Sequence, residues 1–435
     1  MKLKEFYKKN KLEEGMLIEF SFEGSDVSGT IIPSLNENLM VKMNTGYNAG
    51  FDITKIKEIK SIGKVKGVGK AKKKTFAKNQ KLPTISILHT GGTIASRVDY
   101  KTGGVIAGFE SEDLITMIPE IAEIANIKSV LVSSMMSEEF TPKNYLDIAK
   151  AAEKEIKSGS KGIIIGHGTD TLGHTAAALS FALANCPVPV LIVGSQRSSD
   201  RGSSDTAMNL ICAAEFITKT NFAGVATCMH HSTHDTTCAI IRGTKVRKMH
   251  TSRRDAFKAI NDKPIALVDY KTRSINWIQD KKEFGSGKGK FVVKAKFEEK
   301  TGLVKMHPYI SEKIIGFYKK EKYKGLIIEA TGIGHTPIGD NDSFVKKIRS
   351  LVDSGCVVGV TSQCLYGRVH EAIYTNIRKV VDTGAIYCED MLPETAFVKL
   401  SWLLGNYSKK EASELLSKNL RGEISEFSNS ETYEE

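Results

Sequence analysis

No apolar run in this chain of 435 residues reaches the roughly 18–20 residues needed to cross a bilayer, which argues against a membrane span. The opening Met1-Lys2-Leu3-Lys4-Glu5-Phe6 lacks the apolar core of a signal peptide, so the expected location is the cytoplasm. The seven cysteines, at 186, 212, 228, 238, 356, 364 and 388, include no CxxC pair. That argues against a disulfide framework or a redox dithiol and predicts reduced, mostly buried thiols. There is no Walker A sequence, so ATP-driven activation of a substrate is not expected of this chain alone. No internal repeat is evident. Hydrophobic (41%) and charged (26%) fractions are those of a globular protein long enough for two or three packed units. A net charge of +12 permits an acidic partner such as nucleic acid without requiring one.

Residues 1–60 carry short strand-like runs separated by Gly, Asn and Ser clusters, which predicts a small β-barrel-like unit with no catalytic set. Residues 61–82 are rich in lysine and glycine. They read as a solvated linker, or alternatively as an arm that touches RNA phosphates. From residue 83 apolar runs at 85–88, 129–132, 162–166, 189–194 and 223–228 alternate with helical stretches such as 142–156 and 174–183. This is the pattern of a mostly parallel, doubly wound α/β sheet, which binds ligands beyond the carboxyl ends of its strands. Residues 262–310 look irregular. A second, smaller α/β unit follows, with strands at 325–330, 357–361 and 385–388, a helical end over 394–420, and an acidic tail expected to fray. The domain reading is therefore 1–60, 61–82, 83–290 and 291–435.

Two strand ends stand out. The run Ile85-Ser86-Ile87-Leu88 leads into Thr90-Gly91-Gly92-Thr93-Ile94-Ala95-Ser96, and Gly162-Ile163-Ile164-Ile165-Gly166 leads into His167-Gly168-Thr169-Asp170-Thr171. Glycines at a strand end permit a sharp turn that presents backbone N–H groups and threonine hydroxyls to a ligand. A threonine hydroxyl is a weak nucleophile until a base takes its proton, and β-branching at Thr93 restricts its χ1. Asp170 suits a substrate ammonium, and Thr169 suits proton relay. The bland alternative for both segments is helix capping. A base is available in Arg242-Gly243-Thr244-Lys245-Val246-Arg247-Lys248, because a desolvated lysine among cations gives up its proton more readily. A solvated basic loop or an RNA-facing patch is the preferred reading of this segment taken alone. His230, His231 and His234 resemble a metal cluster, but no recognised zinc spacing completes it, and a polar loop is the preferred reading.

The two threonine segments resemble the signature patterns of the bacterial-type L-asparaginase family, which includes asparaginase/glutaminases. The resemblance continues through Val193-Gly194-Ser195-Gln196-Arg197, Asp205-Thr206-Ala207-Met208-Asn209-Leu210, Arg242-Gly243, Asp255-Ala256-Phe257, Thr331-Gly332-Ile333-Gly334 and Thr361-Ser362-Gln363-Cys364, covering about residues 83–420. It implies Thr93 as the nucleophile of an acyl-enzyme and Thr169 and Lys248 as proton-transfer partners, with Asp170 holding the substrate amino group. It places Ser137 at the substrate carboxylate with Glu138 beside it, and Tyr100 on a mobile lid. In the reaction expected, backbone N–H groups near Gly92 or Gly168 stabilise the oxyanion. No metal or cofactor is implied in this chain.

The β-rich unit ahead of the first strand, with Gly332-Ile333-Gly334-His335-Thr336-Pro337 and Ser362-Gln363-Cys364-Leu365-Tyr366-Gly367-Arg368, looks like the GatD-type branch, the glutaminase subunits of archaeal glutamyl-tRNA(Gln) amidotransferases. That branch implies L-glutamine as substrate and a GatE-type partner that binds Glu-tRNA(Gln) and uses ATP and Mg²⁺, assembled as a homodimer within a heterotetramer. A stand-alone asparaginase/glutaminase is the first alternative. An RNA-binding scaffold with a dead site is the second.

Overall fold

The computed structural model describes residues 2–34, 37–43, 48–64, 79–91, 96–98, 105–107, 118–197, 203–285 and 289–433. The expectations placed on Gly92, Thr93 and Tyr100, and on most of the lysine-rich segment, fall outside the described residues.

An antiparallel five-stranded sheet forms the amino-terminal unit. The strand Met16–Phe22 pairs with both Ser25–Ile31, the central strand, and Ile56–Lys64, an edge strand. Alternation along the strands turns Ile18 and Phe20 inward, where they meet Ile31, Leu39, Val41 and Phe51. The helix Leu3–Asn10 adds Phe6 to that core.

The large sheet has eight strands. Five are parallel, and they are the five apolar runs read in the sequence: Thr84–His89, Asn126–Leu131, Gly162–Gly166, Pro189–Val193 and Gly224–His230. Ile163, Ile164 and Ile165 are all fully buried, as expected of a strand covered on both faces. The helices Pro142–Lys157 and Leu172–Ala182 cover one face and Thr206–Lys219 the other, so two separate hydrophobic clusters sandwich the sheet. In sequence order the parallel strands stand 2-1-3-4-5. The direction of winding therefore reverses between Thr84–His89 and Gly162–Gly166, and a crevice opens at such a point, outside the strand carboxyl ends.

The sheet then continues antiparallel, through Thr237–Arg242, Ala266–Asp269 and Ile275–Trp277. Two of these strands correct the expectation that residues 262–310 are irregular. They are only four and three residues long, and a period of two cannot be recognised over so short a stretch. Val292–Val293 also pairs, with Leu183–Ala184.

The last unit is a parallel sheet of Thr301–Lys305, Gly325–Ala330, Val357–Ser362 and Ile386–Tyr387. Its helical end is two helices rather than one. Pro393–Asn406 stops at Tyr407, and Ser408 caps Lys409–Leu416 through a reciprocal bond with Glu411.

Residues 421–425 of the acidic tail are packed rather than frayed. Glu423 is fully buried, 2.7 Å from the equally buried Lys399. Arg421 Nε donates to the Ser180 carbonyl across the two units (3.1 Å), and Ser425 Oγ accepts from Lys245 Nζ (3.1 Å). Of the seven cysteines, all free, six are buried and Cys364 is exposed. No helix among the described residues is long and apolar enough to cross a membrane.

Candidate active site

The two threonine segments leave the strands that flank the reversal in winding. Gly166 carries the first contact between them: its carbonyl accepts the Thr90 N–H (3.1 Å) and the Thr90 hydroxyl (2.9 Å). Gly91 then turns at φ +108°, pressed so closely on Met135 that an added Cβ would fall 2.3 Å from the Met135 carbonyl oxygen. Only glycine fits both that angle and that space. Residue 93 follows two positions later, outside the described residues.

On the neighbouring strand, His167 is buried. Its Nδ1 donates to the Gly168 carbonyl (2.7 Å), which leaves Nε2 to accept from Thr175 Oγ1 (2.8 Å). Both bonds suit the neutral ring, and burial lowers its pKa to about 4. Gly168 packs on the short helix Ser137–Glu139, where an added Cβ would lie 2.8 Å from Ser137 Oγ. Thr171 completes this clasp by donating from its hydroxyl to the Ser137 carbonyl (2.7 Å) and from its N–H toward Ser137 Oγ (3.4 Å). The structure thus seats Ser137, 3% exposed, against the second threonine segment, while Glu138 beside it is exposed.

Lys248 arrives from a third element. The strand Val246–Lys248 pairs antiparallel with Phe257–Ala259, in the register Lys248 to Phe257. Alternation buries Val246 and sends Lys248 along the same face. Its Nζ donates to Thr169 Oγ1 (2.9 Å) and to Asp170 Oδ1 (2.8 Å). Lys245, the other lysine of the segment, is buried against Asp390 (2.7 Å) in the smaller unit, and desolvation lowers its pKa. Three of the four residues expected to do chemistry are thus brought together: Thr169, Asp170 and Lys248. A hydroxyl bonded to a lysine amine, with a carboxylate on the same amine, is an arrangement that can relay a proton to and from an attacking group.

Two supporting residues were not singled out as site residues in the sequence. Gly194 leaves room for Thr169, since a Cβ there would meet the Thr169 methyl at 2.8 Å. Asp205, fully buried, accepts from Ser195 Oγ (2.9 Å) and from the N–H groups of Gln196 and Arg197 (both 3.0 Å), fixing the loop that begins at Gly194. The sign of both was a buried-type carboxylate downstream of a glycine at a strand end. His230 is held by Asn209 (2.6 Å) and Asp235 (3.2 Å), and no group of three or more His, Cys, Asp and Glu among the described residues is placed to hold a metal.

The buried histidines have a consequence for stability. His89 and His167 are each held near pKa 4 by desolvation, below the 6.5 of a free histidine. A depressed folded pKa means that the unfolded chain binds more protons between those values, so stability is complete above pH 6.5 and is lost as pH falls toward 4. Each ring contributes on the order of 3 kcal/mol to that loss. Melting temperature is expected to drop steeply over this window, and less steeply in a His167→Gln variant. Parallel curves for the two proteins would contradict it.

Comparison with known proteins places this geometry. Residues 84–282 match the family model described as Asparaginase, N-terminal, and residues 300–416 match Glutaminase/Asparaginase C-terminal domain. Over its whole length the chain is 45% identical to the full-length D subunit of the glutamyl-tRNA(Gln) amidotransferase of Pyrococcus furiosus. It is 46% identical to the D subunit of Methanococcus maripaludis, over 97% of this chain and all of the relative. Among solved structures, the thermostable L-asparaginase from Thermococcus kodakarensis superposes with a TM-score of 0.70 at 27% identity. L-asparaginase I from Vibrio cholerae does so with 0.70 at 28%. Each match covers 79% of this chain and 99% of the other.

Proposed function

Because the chain belongs to the family of glutamyl-tRNA(Gln) amidotransferase D subunits, built on the asparaginase fold, we propose that it hydrolyses L-glutamine and that the ammonia amidates Glu-tRNA(Gln). The observation that carries the chemistry is the Lys248 amine bonded at once to Thr169 Oγ1 and Asp170 Oδ1. What favours an amidotransferase component over a stand-alone enzyme is length. The asparaginase model begins only at residue 84, whereas the D subunits match the chain from end to end.

In this reading Thr93 Oγ attacks the side-chain amide carbon of glutamine, and its proton passes through Thr169 to Lys248. N–H groups near Gly92 or Gly168 steady the oxyanion. The C–N bond breaks, the proton returns to the leaving nitrogen, and ammonia departs. Water then opens the ester by the same relay, giving glutamate and the free hydroxyl. Asp170 receives the substrate ammonium, and Ser137, with Glu138 beside it, lies at the α-carboxylate end. Tyr100 belongs to the segment that closes over the site. The chain works in the cytoplasm with a GatE-type subunit that binds the tRNA and uses ATP and Mg²⁺, as a dimer within a heterotetramer.

The test is ammonia release by the copurified complex, with and without Glu-tRNA(Gln). Strong stimulation by the charged tRNA is expected. Equal release of ammonia from free asparagine by the chain alone would favour the stand-alone asparaginase.

A further inference from the structure

A second cavity, of about 240 Å³, lies at the other end of the large sheet. Gly224, which begins its strand, lines it, whereas the threonine segments leave the carboxyl ends of strands parallel to it. A seven-residue strand, on the order of 20 Å, separates the two regions.

Arg242 and Arg421 both reach this cavity. Arg242 lies over the Phe284 ring, 5.0 Å from its centroid, and donates from Nε to Asp262 (3.1 Å) and from Nη2 to Gln279 (3.3 Å). The Arg421 guanidinium donates only to backbone carbonyls, those of Ser180 and Leu420, while its backbone N–H donates to the Glu423 carboxylate. That guanidinium therefore has no acidic partner among the described residues. Arg242 Nη1 and Arg421 Nη2 likewise make no hydrogen bond among them. Arg242 also reaches the segment that follows Arg421: a Cβ on Gly422 would fall 2.6 Å from Arg242 Nη1. Glu283 supplies the one acidic side chain of the lining, and its carboxylate has no hydrogen-bond donor among the described residues. Phe222 and Ile265 provide apolar wall.

Two guanidinium groups with spare N–H donors attract a carboxylate, because a planar fork matches its two oxygens. An unpaired carboxylate in the same cavity attracts an ammonium. We infer that this cavity is a binding site for a free α-amino acid, its carboxylate on Arg242 and Arg421, its ammonium on Glu283 and its side chain against Phe222 and Ile265. The cavity is argued apart from the proposed glutaminase site, whose binding of L-glutamate serves only as a reference in the test.

Calorimetric titration of the full-length protein with L-glutamate tests it, since the catalytic site supplies an internal reference. Wild type is expected to show two sites per chain. Arg421→Gln and Glu283→Gln should each weaken one of them at least tenfold and leave the other unchanged. Glu283 is exposed on a short 3-10 helix, so its substitution tests the site even where Arg421→Gln disturbs folding. A single site in wild type that survives both substitutions, or two sites indifferent to both, overturns the inference. Loss of the second site in Arg421→Gln but not in Glu283→Gln overturns the amino-acid assignment and leaves a plain carboxylate site.

Discussion

Lys248→Met is expected to lower kcat for glutamine hydrolysis by about a thousandfold, within the range that general acid–base groups contribute. Methionine keeps the length and apolar stem of lysine, so the strand Val246–Lys248 retains its packing while the amine that touches Thr169 and Asp170 is removed. The ion pair itself adds little to stability, because Asp170 is 67% exposed and such pairs are worth about 0–1 kcal/mol. Melting temperature should therefore hardly move. Lys245→Met should do the reverse. It strands Asp390, which is 2% exposed, without its cation, and so lowers melting temperature while the folded fraction keeps its turnover. Ammonia release per folded molecule separates the two lysines. Normal turnover in Lys248→Met would remove that residue from the mechanism.

The second large effect is on stability. Glu423→Leu is expected to destabilise the fold by about 3–5 kcal/mol, since it leaves the ammonium of Lys399 buried with only carbonyl partners. Lys399→Met combined with Glu423→Leu should recover much of that loss, because a buried ion pair can be exchanged for apolar packing at little cost. Thermal unfolding of the two single variants and the double variant gives the coupling directly. Strict additivity would show that the two charges do not sense each other.

Much of this architecture was legible because strand burial leaves a local mark. The five parallel strands are continuous apolar runs, and glycines at their ends announce the turns at 90–91 and 167–171. Thr169 and Asp170 followed from that punctuation. Lys248 did not follow from local pattern: its neighbour Lys245 is equally basic, and only resemblance singled it out. The hairpin register explains the difference in space, since Lys248 shares a strand face with Val246 and points back to Thr169, whereas Lys245 precedes the strand and turns into the smaller unit. The tail misled for a related reason. A glutamate in an acidic, polar stretch reads as solvated, and the lysine that buries it lies 24 residues earlier in sequence, a pairing that only the tertiary fold reveals. The short antiparallel strands carried too few residues to show a period.

The contacts made by residues 421–425 give the order of synthesis a meaning. The large sheet and most of the smaller one are complete before this segment leaves the ribosome. Until it does, Lys399 has no counter-charge and Lys245 lacks its serine ligand. A chain halted before residue 423 would hold nearly all of its core yet carry an unneutralised ammonium within it. Such fragments should open readily and fall to proteases sooner than the full-length chain.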